Sequence, residues 1–551
     1  LKSIIRSRFT IMKKENEQWL VDVKLLEPFE RDVLLRLDKL PGDGVNVVKT
    51  SMSRTVLHLP QTDDRPGLYL KCHRQRNMRE RLLDLLRPSR AEREFNNLLR
   101  FEHYALPAPR AIALGQVQRK GEPVRRYLAV EEVTGAKLLP DIIAGKNEQE
   151  LLALCSDLGK WIAGIHQSGA DHRDLQPGNI LIRPGEGQER FVLIDLHSLR
   201  FDPVMPEHAR ARALAALAGY LEMAVGMRGF GSFSGAYMKA AHLEFSFAAK
   251  LQDAIESARS RRFRSRTARC LVNSSKFIIE NSNRRRVYRR RDLHPEALDK
   301  ITEARNGKSE NVTVLSESAG ARSKAVRVTL EGKEQIFFVK EFSKPTLAQS
   351  LRALFIGPRA RREYRAGHGF SVRGISAPEV KACIEGGDFD LLVTEFIENG
   401  EQLNNVVHRL FVANRFSGKR DDLKRQRKFI RALADEIRHM HDAGVYHPDL
   451  KAKNILVTEE GSTWRFLFVD LADVRFKPPS TRRIIKNLMQ LNAGIPYCIG
   501  DGLRARFFLR YLRGEKRVER SAMLEEIIRG SSRRVERWRR QIEKAGKRKS
   551  P

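Results

Sequence analysis

One segment of the chain occurs in two related versions. His166-Gln-Ser-Gly-Ala-Asp-His-Arg-Asp174-Leu-Gln-Pro-Gly-Asn179-Ile-Leu-Ile returns 275 positions later as His441-Asp-Ala-Gly-Val-Tyr-His-Pro-Asp449-Leu-Lys-Ala-Lys-Asn454-Ile-Leu-Val. Downstream, the same displacement relates Val192-Leu-Ile-Asp195-Leu to Leu467-Phe-Val-Asp470-Leu, and Arg200-Phe201 to Arg475-Phe476. Upstream it is 269: Lys71 answers to Lys340, Glu94 to Glu363 and Pro109 to Pro378, so the second copy carries a net insertion of six residues between the two blocks (275 − 269). So many pairs in register mean a duplicated structural unit. At 551 residues the chain is in any case too long for one compact core.

The apolar patterning agrees with two copies. Each opens with short apolar runs of strand length, the last ending in a lysine: Gly67-Leu-Tyr-Leu-Lys71 and Ile336-Phe-Phe-Val-Lys340. A basic helical stretch carrying the glutamate follows (Pro88 to Phe101; Pro358 to Tyr364 and beyond). A further strand comes next (Tyr127 to Val133; Leu391 to Ile397), and later a long helix (Leu151 to His166; Arg425 to His441). Two apolar runs then bracket the Asp-x-x-x-x-Asn loop and end at the second aspartate. Strands first and helices later describe an α+β unit of two lobes. We expect the copies at residues 15–258 and 259–551. The second opens on an arginine-rich junction, with six arginines in 259–269 and six more in 284–291. The alanine-rich run Ala213 to Met223 reads as a core helix.

These residue types suit phosphoryl transfer. That chemistry needs cations to hold a triphosphate and a carboxylate to orient the attacking hydroxyl. A strand lysine neutralises phosphates when a helix carboxylate fixes its position, which pairs Lys71 with Glu94 and Lys340 with Glu363, each 23 residues apart. Asp174 and Asp449 are candidate catalytic bases. Asn179 and Asn454 offer carboxamide oxygens, and Asp195 and Asp470 carboxylates, to Mg²⁺, which prefers oxygen ligands. The spacing from first to second aspartate is 21 in both copies, room for one short hairpin. His166 and His441 are expected to pack a helix end, and His172 and His447 to orient backbone.

In order, spacing and strand context this set resembles the catalytic set of protein kinases. Both copies resemble, more specifically, the bacterial lipopolysaccharide core kinases of the Kdo/WaaP type. The segments that carry the likeness are Ala360-Arg-Arg-Glu363-Tyr, Ile375-Ser-Ala-Pro378-Glu and Ala443-Gly-Val-Tyr-His-Pro-Asp449-Leu-Lys-Ala-Lys-Asn454-Ile-Leu. In the first copy they are Ala91-Glu-Arg-Glu94-Phe, Leu106-Pro-Ala-Pro109 and His172-Arg-Asp174-Leu-Gln-Pro-Gly-Asn179-Ile-Leu. The resemblance implies two tandem protein-kinase-like bilobal domains, each with a β-rich first lobe and a helical second lobe. It also implies an ATP- and Mg²⁺-dependent enzyme that phosphorylates an inner-core sugar, Kdo or heptose, of lipopolysaccharide at the cytoplasmic face of the inner membrane. Departures are visible. Neither copy has a G-x-G-x-x-G loop, the candidates being Gly42, Gly44 and Gly320, and neither second aspartate is followed by Phe-Gly. Pro448 stands where the first copy has Arg173. A kinase for a protein or small molecule, or a membrane-associated scaffold with one or both copies silent, are the alternatives.

Lysine and arginine (102) exceed aspartate and glutamate (68) by 34. Such an excess speaks of anionic partners and not of fold. The segment from Arg504 to Lys549 interleaves arginines with apolar and aromatic residues, as in Arg506-Phe-Phe-Leu-Arg510-Tyr-Leu-Arg513, a pattern suited to an anionic lipid surface. A lipid-A-linked, phosphorylated sugar acceptor presents one. No helix-turn-helix, zinc-finger or RNP signature points to specific nucleic-acid binding. No run reaches the eighteen apolar residues of a membrane span, and the N-terminus lacks an apolar signal core, so a peripheral, cytoplasmic placement is expected. Five scattered cysteines (Cys72, Cys155, Cys270, Cys383, Cys498) match neither a disulfide framework nor a C-x-x-C site, which suits a reducing compartment.

Overall fold

The computed structural model describes residues 2–547 apart from 38–39, 41–44, 52–53, 75–86, 186–189, 283–284, 305–310, 319, 344–352, 354, 387–388, 414–419, 462, 496–498 and 515–516. Gly42, Gly44 and Cys498 lie outside the described residues. The other four cysteines are buried and free. The chain divides into two compact units, Leu1–Arg261 and Arg262–Pro551.

In the first unit a seven-stranded antiparallel sheet runs in the order Phe9–Lys14, Glu17–Asp22, Ala111–Val117, Arg125–Glu131, Leu68–Arg74, Arg54–Leu59, Asn46–Thr50. The second unit repeats that order strand for strand: Phe277–Ser282, Arg285–Arg290, Val380–Glu385, Asp390–Glu395, Lys333–Phe342, Ala321–Leu330, Val312–Ser318. The register is shared as well. Lys71 lies opposite Val56 and Leu128, and Lys340 opposite Ser323 and Leu392. By that register Arg54 corresponds to Ala321, His58 to Ala325 and Glu132 to Phe396.

Strand alternation decides which side chains can reach the lobe beneath. Leu68, Leu70 and Cys72 turn to a core with Trp19, Phe29 and Leu57, so Lys71 faces the other way. On that other face lies the helix Arg90–His103, whose first turn is closed by a reciprocal capping box between Ser89 and Glu92. Its buried stripe, Ala91, Glu94, Phe95, Leu98 and Leu99, has helical spacing and carries Glu94 inward with the apolar residues. In the second unit Arg359–Val372 buries Ala360, Glu363, Tyr364, Gly367 and Phe370 in the same way. Gly367 is required there, because a Cβ would stand 2.6 Å from Val380 Cγ1.

The second lobes are helical. Glu148–Gln167 packs along Glu207–Ala240, which bends at Gly226 where φ is 80°. The expected alanine-rich core helix falls in the buried first half of that element. In the second unit Arg420–Asp442 packs on Asp501–Tyr511, and Thr481–Ala493 on Arg517–Lys547. The basic C-terminal segment is therefore two helices with buried contacts at Phe508, Tyr511 and Ile527. Arg504 is spent on the carbonyls of Asn492, Ile495 and Ile499, and Arg510 forks Asp435 at 2.8 and 2.7 Å. Part of the arginine-rich junction is likewise internal: strand residue Arg289 pairs with Glu280 (2.7 Å), and Arg290 with Asp292 and Glu379.

His166 and His441 tie the lobes' helices together, each donating or accepting at a buried tyrosine hydroxyl: Tyr237 at 2.8 Å and Tyr511 at 2.6 Å. Burial pushes His166 down to about 3 and His441 down to about 4, so both stay neutral in the fold. Folded values below the ordinary 6.5 mean that the unfolded chain takes up protons first. Their contribution is complete above about pH 6.5 and is lost as pH falls toward 4. Thermal unfolding followed through that interval should show a falling midpoint, and a flat midpoint would refute the buried neutral state. Gly159 packs against the Phe233 carbonyl with no room for a methyl. Gly159→Ala should destabilise the first unit by about 1–3 kcal/mol, read by urea unfolding, and an unchanged midpoint would show that the two helices part freely.

Candidate active site

The two lysines find their glutamates. Lys71 Nζ lies 2.6 Å from Glu94 Oε1 and 2.8 Å from Asp195 Oδ1. Lys340 Nζ lies 2.9 and 3.0 Å from the Glu363 oxygens and 3.0 Å from Asp470 Oδ1. A strand, a helix 23 residues on and a loop after a hairpin 124 or 130 residues on thus converge on one ammonium in each unit. The side chains of Lys71 and Glu94 are 10% and 1% exposed. At such burial, removing one partner strands a charge and costs about 3–5 kcal/mol. Burial alone would lower the Lys71 value, yet Glu94 and Asp195 raise it. Burial likewise opposes ionisation of Asp195 and Asp470, but the facing cations hold both below the usual carboxylate range.

Both second aspartates have left-handed backbone, φ 59° at Asp195 and 58° at Asp470. A non-glycine residue adopts it only when its surroundings insist, and such strain gathers at functional sites. The surroundings here are paired in both units. Ile194 N donates to Asn179 O (2.9 Å) and Val469 N to Asn454 O (3.0 Å). His172 Nε2 lies 3.2 Å from Asp195 O, and His447 Nε2 lies 3.1 Å from Val469 O. These histidines orient backbone.

The Asp-x-x-x-x-Asn loop closes on itself. Asn179 Nδ2 donates to the Asp174 carbonyl and Asn454 Nδ2 to the Asp449 carbonyl, each at 2.8 Å. With the amide nitrogen so used, the carboxamide oxygen is left for a cation. The carboxylate of Asp174 accepts only a 3.3 Å contact from Gln176 among the described residues, whereas Asp449 pairs with Lys451 at 2.8 Å. One carboxylate and one carboxamide oxygen per unit fit Mg²⁺, a hard ion that takes few protein ligands and completes its shell with water and phosphate.

Two arginines at the site have no counterpart in the motif. Arg54 forks Asp195 through Nη1 and Nη2 at 3.1–3.2 Å, and Arg359 Nη2 reaches Asp470 Oδ1 at 3.1 Å. Arg359 had a signal. Its helix begins with Arg359, Arg361 and Arg362 and no acid in the first turn, against the helix dipole. The contradiction resolves because these cations are turned to Asp470, Glu385 and Asp473. Arg54 lies in an ordinary strand and had none. In the second unit the site opens into a cleft of about 480 Å³ between the lobes, lined by Phe338, Lys340, Glu363, Phe396, Lys453 and Asp470 among others. Gly320 sits in the turn between Val312–Ser318 and Ala321–Leu330.

The sequence matches the lipopolysaccharide kinase (Kdo/WaaP) family over residues 45–237 and again over 306–496. The chain belongs to that family. Membership covers both copies of the duplicated unit. It is also 34% identical over 71 residues to CBL-interacting serine/threonine-protein kinase 24 of Arabidopsis thaliana, and 32% over 123 residues to ribosomal protein S6 kinase alpha-1 of Homo sapiens. The matches take in 13% and 21% of this chain and span only 14% and 16% of those kinases. Among solved structures it is similar to WaaP in complex with acyl carrier protein, at 19% identity and TM-score 0.29, covering 42% of this chain and 95% of that one. It is also similar to the bifunctional kinase-methyltransferase WbdD, at 17% identity and TM-score 0.24, covering 37% and 47%. Among the described residues no helix is long and apolar enough to cross a membrane.

Proposed function

We propose that this Kdo/WaaP-family chain transfers the γ-phosphoryl group of ATP to a Kdo or heptose hydroxyl of the lipopolysaccharide inner core. The observation that carries the reading is the lysine shared between the helix glutamate and the second aspartate, present in both copies at 2.6–3.0 Å. Lys71 or Lys340 holds the nucleotide's phosphates and is itself held by Glu94 or Glu363. Asn179 with Asp195, or Asn454 with Asp470, are the residues that would hold Mg²⁺, which supplies neutralising charge to the phosphates. Asp174 or Asp449 orients the sugar hydroxyl and accepts its proton. The hydroxyl oxygen bonds to the γ-phosphorus as the bond to the β–γ bridging oxygen breaks, and ADP leaves.

Family and charge together support this choice of acceptor. An excess of 34 positive charges favours a phosphorylated, lipid-linked sugar over a neutral metabolite. It also favours peripheral contact with an anionic membrane, at the inner face of the inner membrane where such an acceptor would be met. Exposed Leu509, Val518 and Ile528 lie among the basic residues of the last two helices and suit an interfacial position.

The test is transfer of labelled phosphate from ATP to extracted core lipopolysaccharide. Asp174→Ala combined with Asp449→Ala should lower the rate by at least about 10²-fold, the usual contribution of a positioned base. Wild-type transfer by the double variant would overturn the proposal, and transfer to a soluble acceptor in place of lipopolysaccharide would overturn the choice of acceptor.

A further inference from the structure

The two copies are not equally open. In the first, both oxygens of Asp195 are engaged: Oδ1 by Lys71 at 2.8 Å and Arg54 Nη1 at 3.1 Å, Oδ2 by Arg54 Nη1 and Nη2 at 3.1 and 3.2 Å. In the second, both donors crowd onto one oxygen. Lys340 and Arg359 reach Asp470 Oδ1 at 3.0 and 3.1 Å, and among the described residues Oδ2 accepts nothing. The side chain of Asp195 is 18% exposed and that of Asp470 is 37% exposed. The shared register explains the contrast, because Ala321 stands where the first copy has Arg54, and a methyl group cannot reach across.

The other end of the same face differs too. His58 Nε2 lies 2.9 Å from Glu132 Oε2, and its ring sits 4.8 Å from that of Tyr69. Glu132 also donates its backbone N–H to Gly67 O at 2.8 Å. This ties the segment after strand Arg125–Glu131 down onto the sheet. The corresponding residues of the second copy are Ala325, Phe338 and Phe396. The last two line the open cleft, flat apolar walls of the kind that receive an aromatic base. The second copy also has Lys451 where the first has Gln176, placing a cation 2.8 Å from the Asp449 carboxylate.

We infer that the second copy is the nucleotide-binding unit, and that the first is closed by its own side chains. Arg54 takes the place of the cation at Asp195, and the His58–Glu132 bridge spans the place of the base. A bidentate guanidinium–carboxylate pair is among the stronger polar contacts and must open before Asp195 can hold a metal ion. A site that is competent only when open binds more weakly by the fraction of time it is open. This inference rests on the kinase reading above and adds which copy carries it.

Calorimetric titration of MgADP into the full chain reads the number of sites directly. One site per chain is expected for the wild type, and none for Asp470→Asn. Adding Arg54→Ala and His58→Ala to Asp470→Asn should restore one site, now in the first copy. The milder pair Arg54→Gln and His58→Gln, checked by circular dichroism, replaces the alanines if they unfold the unit. Two equivalent sites in the wild type, a site that survives Asp470→Asn, or folded opened variants that gain none would each overturn the inference. A wild type that binds no MgADP at all would instead overturn the kinase reading beneath it.

Discussion

An ammonium group enclosed by carboxylates organises each unit. Lys71 and Lys340 leave water to sit between a helix glutamate and a loop aspartate, and such a charge is tolerated only while its partners stay in reach. That requirement couples three elements which would otherwise be independent. The sheet must carry the lysine on the face opposite its own core. The helix must turn its glutamate inward with its apolar stripe. The hairpin after the Asp-x-x-x-x-Asn loop must end in a left-handed residue that aims its carboxylate back at the strand. The backbone strain at Asp195 and Asp470 and the buried glutamate are two costs met by one contact.

How much of this was legible in the sequence depends on how tightly chemistry constrains residue type. Lys71, Glu94, Asp174, Asn179 and Asp195 stood out because phosphoryl transfer fixes both their identity and their spacing, and the second set repeats them. The α+β lobes followed from strand-length runs ahead of long helical ones. The extra hairpin at the head of each sheet is different. Glu17–Asp22 and Arg285–Arg290 are polar at many positions and gain their stability from pairing with strands almost a hundred residues further on. Arg54 was invisible because a strand arginine is ordinary until its neighbour across the cleft is known. The arginine runs misled in part. Charge counts do not distinguish an arginine offered to a partner from one, like Arg504 or Arg510, spent on a carbonyl or a carboxylate of its own domain.

Duplication also separates what the fold needs from what the site needs. Strand order, sheet register, the left-handed aspartate, the asparagine-closed loop and the histidine-to-tyrosine bond recur in both units. The two aspartates acquire their arginines from different elements, a strand in one unit and a helix in the other. Shared features are therefore those on which any such domain depends, and the divergent ones record how each copy's cleft has been adjusted.

Two sheets of identical strand order on one polypeptide create a danger during synthesis, since a hairpin from one could join the wrong sheet. The residues facing each other guard against it. Trp19 lies directly over Gly115, leaving no room for any side chain there, while the corresponding pair in the second sheet is Val287 opposite Ile384. Exchange would force an indole onto an isoleucine in one sheet and leave a void beside a glycine in the other, an overpacking and a cavity that each disfavour the hybrid. Complementary sizes thus act as a key that lets each newborn half recognise only itself.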